Sequence, residues 1–416
     1  MNRLYIALAL TALVIMGACT QKNYNYNEKS TPNPNPNPAD APYVVMLSMD
    51  GFRWDYVDSV PTPNLDYIAE NGVKAKSLKP SFPTFTFPNH YALATGLYPN
   101  NNGIVFNKFY DPELKKKYSI GNRKAVENPD FYKGKPIWVT AENQGMTTAS
   151  FYWVGSETPI CDCQPTFWKK YKHNFPFEKR IDSVVSWLQL PEARRPHLIT
   201  WYMHEPDASG HRYGPHSKKT DKVVMEMDSL VGVFLTKVQA LPIGKKVNII
   251  ILSDHGMSPV SDKRWTILKK HIPKRWVKRI NGYNPTLSIV ANEGYVDSID
   301  MALAKIDHIS YWKSTEVPER LHFGSNPIIG DFVVTADSSW SVDYNDLHPP
   351  RRGAHGYDNN IMDMHAIFYA IGPAFKEGYT KETFENVNIY PLIAKILKLK
   401  PAPVDGDLKN VEDILK

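Results

Sequence analysis

The sequence predicts an α/β fold, with a mostly parallel central sheet and helices on both faces. Three observations carry this. The chain holds 416 residues, 42% of them hydrophobic, enough to bury a large core. Several apolar runs are short and end abruptly in polar or charged residues. Amphipathic stretches alternate with them, which is the pattern of strands covered by helices. In chain order, the first strand runs from Tyr43 to Met49 and stops at Asp50. A helix from Asn64 to Ala69 follows the start signal Thr62-Pro63. The second such strand, Leu198 to Met203, ends at His204-Glu205-Pro206-Asp207, and a helix from Lys219 to Gln239 comes after it. The third, Val247 to Leu252, ends at Ser253-Asp254-His255, and a last helix is expected from Asn388 to Leu397. Ligands of such sheets bind beyond the carboxyl ends of the strands, which is where these acidic ends fall.

The N-terminus has a different character. Arg3 precedes an apolar run from Leu4 to Met16, and Gly17-Ala18 stand before Cys19. Residues 1–18 therefore read as an export signal, and Cys19 as a lipidated first residue that ties the chain to the bacterial cell envelope, on the periplasmic face or the cell surface. The run is shorter than the roughly 20 residues a spanning helix needs. Residues 19–41 hold an Asn-Pro repeat between Pro32 and Pro38 and cannot pack, so they read as a tether. Residues 42–416 read as one domain, without internal repeats. The net charge of +6 is spread along the chain, which excludes a nucleic-acid footprint and with it a stable nucleic-acid partner. Only Cys161 and Cys163 lie in the body, too few for a disulfide framework; their state is open.

The chemistry gathers at the strand ends. Asp50, Asp207 and Asp254 come from three separate ends, with His211, His255 and His355 nearby in the sequence or in glycine-rich loops. Taken singly, Asp207 is a plausible helix cap and His355 a plausible loop histidine. Together they suit two mixed nitrogen and oxygen metal sites; zinc accepts such a set, whereas magnesium or calcium favours oxygen alone. The stretch Pro83-Thr84-Phe85-Thr86-Phe87-Pro88-Asn89-His90 leads into a helix, and a hydroxyl at a helix N-terminus sits where an anion is favoured.

These motifs resemble the ecto-nucleotide pyrophosphatase/phosphodiesterase family of the alkaline phosphatase superfamily. The resemblance runs through Asp50-Gly51-Phe52-Arg53, Thr86-Phe87-Pro88-Asn89-His90-Tyr91, Gly134-Lys135-Pro136, Glu205-Pro206-Asp207 with Gly210-His211, Ser253-Asp254-His255-Gly256 and His355-Gly356-Tyr357-Asp358. It implies an alkaline-phosphatase-like fold and two zinc ions, one held by Asp50, Thr86, Asp254 and His255, the other by Asp207, His211 and His355. It further implies that Thr86, and not Thr84, is the nucleophile. Asn107 matches the donor to a non-bridging phosphate oxygen, and Phe87, Tyr171 and Tyr202 match positions that hold a nucleobase. The expected partner is a nucleotide or small phosphodiester. His204 and Asn101-Asn102 depart from the pattern of vertebrate members. Three rivals stay open on the residues alone: a phosphomonoesterase, a phosphodiesterase of choline phospholipids, and a non-catalytic surface binding protein.

Overall fold

The computed structural model describes residues 41–347 and 349–416, so the expected export signal and nearly all of the tether lie outside the described residues. An eight-stranded sheet forms the centre. Its strands are β1 (Tyr43–Met49), β2 (Val73–Ala75), β3 (Thr148–Phe151), β4 (Phe167–Lys169), β5 (Leu198–Met203), β6 (Val247–Leu252), β11 (Phe368–Ile371) and β12 (Tyr379–Lys381). Their order is β12-β2-β11-β6-β1-β5-β3-β4, and only β11 runs antiparallel to its neighbours.

All of β1 and β6 is buried, because helices cover both sides. The side chains alternate between two cores. Tyr43, Val45, Leu47 and Met49 face the core under α1 (Pro63–Asn71), α4 (Phe177–Leu188) and α6 (Lys218–Gln239). Val44 and Met46 face the core under α2 (Thr86–Thr95), α3 (Ile137–Asn143) and α8 (Ile389–Ile396). Side chains that point alternately to either face of a pleated strand require this when both faces are dry. Helix α6 starts where Ser217 caps it by accepting a hydrogen bond from Thr220 N–H at 3.2 Å. Among the described residues no helix is long and apolar enough to cross a membrane.

The register of the central strands positions the site. Ser48 of β1 stands level with Tyr202 of β5 and with Leu252 of β6. The three strands therefore end on one line, and Asp50, the segment before Asp207, and Asp254 emerge side by side.

A second sheet lies outside the alternation seen in the sequence. Strands β7 (Val277–Tyr283), β8 (Thr286–Ala291), β10 (Phe332–Ala336) and β9 (Ile309–Lys313) pair antiparallel in that order. Helix α7 (Val296–Leu303) packs Ile299 and Leu303 onto Leu287, Ile289, Phe332 and Val334.

Candidate active site at the strand ends

Asp50 follows β1 directly, and its backbone joins the next ligand segment: Asp207 N–H donates to Asp50 C=O at 2.9 Å. Gly51 makes this approach feasible. It has φ +67°, and a Cβ there would lie 2.8 Å from the Asp207 Cα. Asp207 opens α5 (Asp207–Tyr213), which places His211 one turn further on the same face.

Three histidines share one arrangement. The Nδ1 atoms of His211, His255 and His355 lie 2.7, 2.8 and 2.9 Å from the backbone carbonyls of Gly353, Gly256 and Thr84. A carbonyl only accepts, so each Nδ1 carries the proton and each Nε2 presents a lone pair. The Nε2 atoms of His211 and His355 are 3.1 Å apart. Two lone pairs facing each other repel, and a cation between or beside them removes that cost.

The carboxylates point to the same place. Asp50 Oδ1, Asp207 Oδ1 and Asp254 Oδ2 are buried without hydrogen-bond partners. His255 Nε2 lies 3.1 Å from Asp254 Oδ2 and 3.3 Å from Asp50 Oδ1, while Asp207 Oδ1 lies 3.4 Å from His211 Nε2 and 3.5 Å from His355 Nε2. Two overlapping ligand sets result, Asp50-Asp254-His255 and Asp207-His255-His355, with His255 common to both and His211 at the rim of the second. Burial, then the charges of Asp254 and Asp207, raise the Asp50 carboxyl well above its ordinary range. Burial, then His255 and His211, push the His355 imidazole far down, so it stays neutral. Unpartnered oxygens, outward lone pairs and crowded negative charge fit divalent cations with mixed nitrogen and oxygen coordination.

Thr86 begins α2, and its Oγ1 sits 3.1 Å from His255 Nε2. Thr84 is elsewhere: its hydroxyl donates to Tyr357 C=O at 3.1 Å and accepts from Gly356 N–H at 2.9 Å, which braces the His355 loop. Asn107 accepts from Phe87 N–H at 3.0 Å, next to Thr86. Tyr171 and Tyr202 approach each other with ring centroids 6.4 Å apart, and Phe87 is half-buried beside Thr86. Tyr202 has a second attachment, because its hydroxyl donates to Asp50 Oδ2 at 2.5 Å.

Two residues, His90 and Tyr283, have roles that the sequence does not announce. His90 ties Ser48 Oγ, 2.8 Å from its Nε2, to the start of α2, because its Nδ1 lies 3.0 Å from the Thr86 carbonyl; Asp254 Oδ2 is 3.1 Å from the same nitrogen. Its position four residues after Thr86 on α2 was the available clue. Tyr283 contacts Asn107 from 176 residues away, and no local pattern announces that. Thr84, which the resemblance distinguishes from the nucleophile, has a structural role in supporting His355. Cys161 and Cys163 are free thiols, with Sγ atoms near the Gly134 and Gln164 carbonyls, and take no part.

Comparison with known proteins fits this arrangement. The sequence matches the type I phosphodiesterase / nucleotide pyrophosphatase family over residues 44–358. The chain belongs to that family. Type I phosphodiesterase / nucleotide pyrophosphatase members similar to it include human ectonucleotide pyrophosphatase/phosphodiesterase family member 1, 36% identical over 395 residues. That match covers 91% of this chain but only 42% of the relative. Human family member 5 is 34% identical over 377 residues, covering 90% of this chain and 78% of the relative. The solved murine family member 5 superposes with a TM-score of 0.86 at 34% identity, covering 90% of this chain and 100% of that one. A second murine structure, equally similar, is an inactive threonine-to-alanine variant in complex with AMP.

Proposed function

We propose that this chain is a two-zinc nucleotide pyrophosphatase/phosphodiesterase, exported and anchored through Cys19, that releases nucleoside 5′-monophosphates. The clustering of outward Nε2 lone pairs with unpartnered carboxylate oxygens around His255, whose Nε2 also meets the Thr86 hydroxyl at 3.1 Å, carries this reading. Asp50, Asp254, His255 and Thr86 would hold one ion, and Asp207, His211 and His355 the other. When bound, zinc supplies Lewis acidity that favours the threonine alkoxide and offsets charge on the phosphoryl oxygens.

The chain's own groups do the rest. Thr86 Oγ1 attacks phosphorus, a threonyl-nucleotide ester forms, and the bond to the leaving-group oxygen breaks. Water then hydrolyses the ester, which frees the nucleoside monophosphate and restores Thr86. Asn107 donates to a non-bridging oxygen; being neutral, it suits the single charge of a diester better than the double charge of a monoester. The Tyr171 and Tyr202 rings with Phe87 offer a stacking platform that tolerates different bases, by analogy worth about 1–3 kcal/mol per base. The AMP complex of the inactive threonine variant in murine family member 5 supports the same assignment by likeness.

The test is product analysis on ATP, NAD, dinucleotide polyphosphates and lysophosphatidylcholine, with metal content measured on the same preparation. AMP should appear from the first three, and chelation should stop it. Turnover that survives removal of the metal, or a preference for the choline lipid, would overturn the reading.

A further inference from the structure

Asn107 is held from two sides. Its Oδ1 accepts from Phe87 N–H at 3.0 Å, which settles which end of the amide is oxygen. Its Nδ2 then carries two hydrogens, and one is directed to the Tyr283 hydroxyl at 2.9 Å. Tyr283 ends β7, a strand of the second sheet, and that strand is docked onto the segment around Asn107. Asn281, fully buried, accepts from Tyr110 N–H at 3.1 Å and donates to Ile328 C=O at 2.6 Å. Gly282, with φ +75°, lies so close that a Cβ would stand 2.9 Å from the Phe106 ring. The tyrosine ring packs against Phe85 with centroids 5.2 Å apart, and Phe85 in turn meets His355 at 6.0 Å. Tyr283 is 38% exposed as a residue, but its hydroxyl end lies against Asn107, and the desolvation there pushes it up to about 12, so it is protonated at neutral pH.

We infer that Tyr283 is a positioning residue: it fixes the amide plane of Asn107, so that the second N–H of Nδ2 faces the phosphoryl oxygen of the substrate. This rests on the reading of Asn107 given above. The second sheet thereby contributes to the site through one hydroxyl, accepting from Asn107, while Phe87 N–H holds the other end of the amide. With both ends fixed, the donor is in place before the substrate arrives.

The experiment compares Tyr283→Phe, Asn107→Ala and the double variant in the full chain, using the separate Rp and Sp isomers of a nucleotide phosphorothioate diester. Phenylalanine keeps the ring on Phe85, and the ratio of kcat/KM for the two isomers does not depend on how much protein is folded. Loss of one hydrogen bond at the donor should lower kcat/KM about ten-fold in Tyr283→Phe. Its isomer ratio should move in the same direction as that of Asn107→Ala. In the Asn107→Ala background the same change should cost less than about two-fold, because nothing is left to position. Unchanged activity in Tyr283→Phe, or an equal loss in both backgrounds, would overturn the proposal while leaving Asn107 its role. An Asn107→Ala variant with native activity and native isomer ratio would instead overturn the reading of Asn107, and the proposal with it.

Discussion

Two threonines two residues apart illustrate how much a side chain's surroundings decide. Thr86 stands half-buried with its hydroxyl on His255, whereas Thr84 is fully buried with its hydroxyl bonded to the backbone of residues 356 and 357. Thr86→Ala should therefore lose several orders of magnitude in kcat with little change in stability, as expected for a covalent nucleophile. Thr84→Ala leaves a buried N–H and C=O unmade, which costs about 1–3 kcal/mol, and should lower activity only moderately through the His355 loop. Urea unfolding and steady-state kinetics on both variants check this; the reverse ranking would put the nucleophile at Thr84. A second residue carries a pH dependence. Burial, then His173 and Arg180, push the His204 imidazole from 6.5 to about 3. The unfolded chain thus binds a proton that the folded chain refuses, so this contribution is intact above pH 6.5 and is lost as pH falls from there towards about 3. His204→Gln should show a smaller fall in melting temperature between neutral and acid pH than the native chain. An identical fall in both would show that His204 does not drive acid sensitivity.

At the scale of elements, the site depends on the close meeting of the β1 end with the start of α5. Gly51 has φ +67° and faces the Asp207 backbone, while Gly294 has φ +79° with nothing near it. Alanine at either position suffers backbone strain of about 1–3 kcal/mol. Only Gly51→Ala must also push Asp207 away from Asp50, so only that variant should lose kcat. Melting temperatures that drop in both variants, with kcat retained in Gly294→Ala alone, would match this account. Retained kcat in Gly51→Ala would show that the contact is dispensable.

For the molecule as a whole, residues 42–416 contain both sheets and every residue of the candidate site. A chain beginning at Pro42 should fold and keep native kcat/KM, because β1 starts one residue later and Val44 N–H donates to His197 C=O at 2.8 Å. The same truncation should abolish membrane association if Cys19 is the anchor. Activity assays on soluble and membrane fractions measure both, and loss of turnover on truncation would assign the tether a part in the fold.

Hydrophobic runs and their polar ends determined a good deal without a structure. The strands at Tyr43–Met49, Leu198–Met203 and Val247–Leu252 were legible to the residue, because buried parallel strands are short apolar blocks with no polar alternation. The gathering of Asp and His at the strand ends was legible too, since these residues follow directly on the apolar runs or lie in glycine-rich loops. What a strand end faces is not a local property. The antiparallel course of β11, the second sheet, the brace of Thr84 on the His355 loop and the bond from Tyr283 to Asn107 were decided only by tertiary structure. Each joins segments far apart in the chain, and its energy comes from a register or a backbone approach that no single segment encodes.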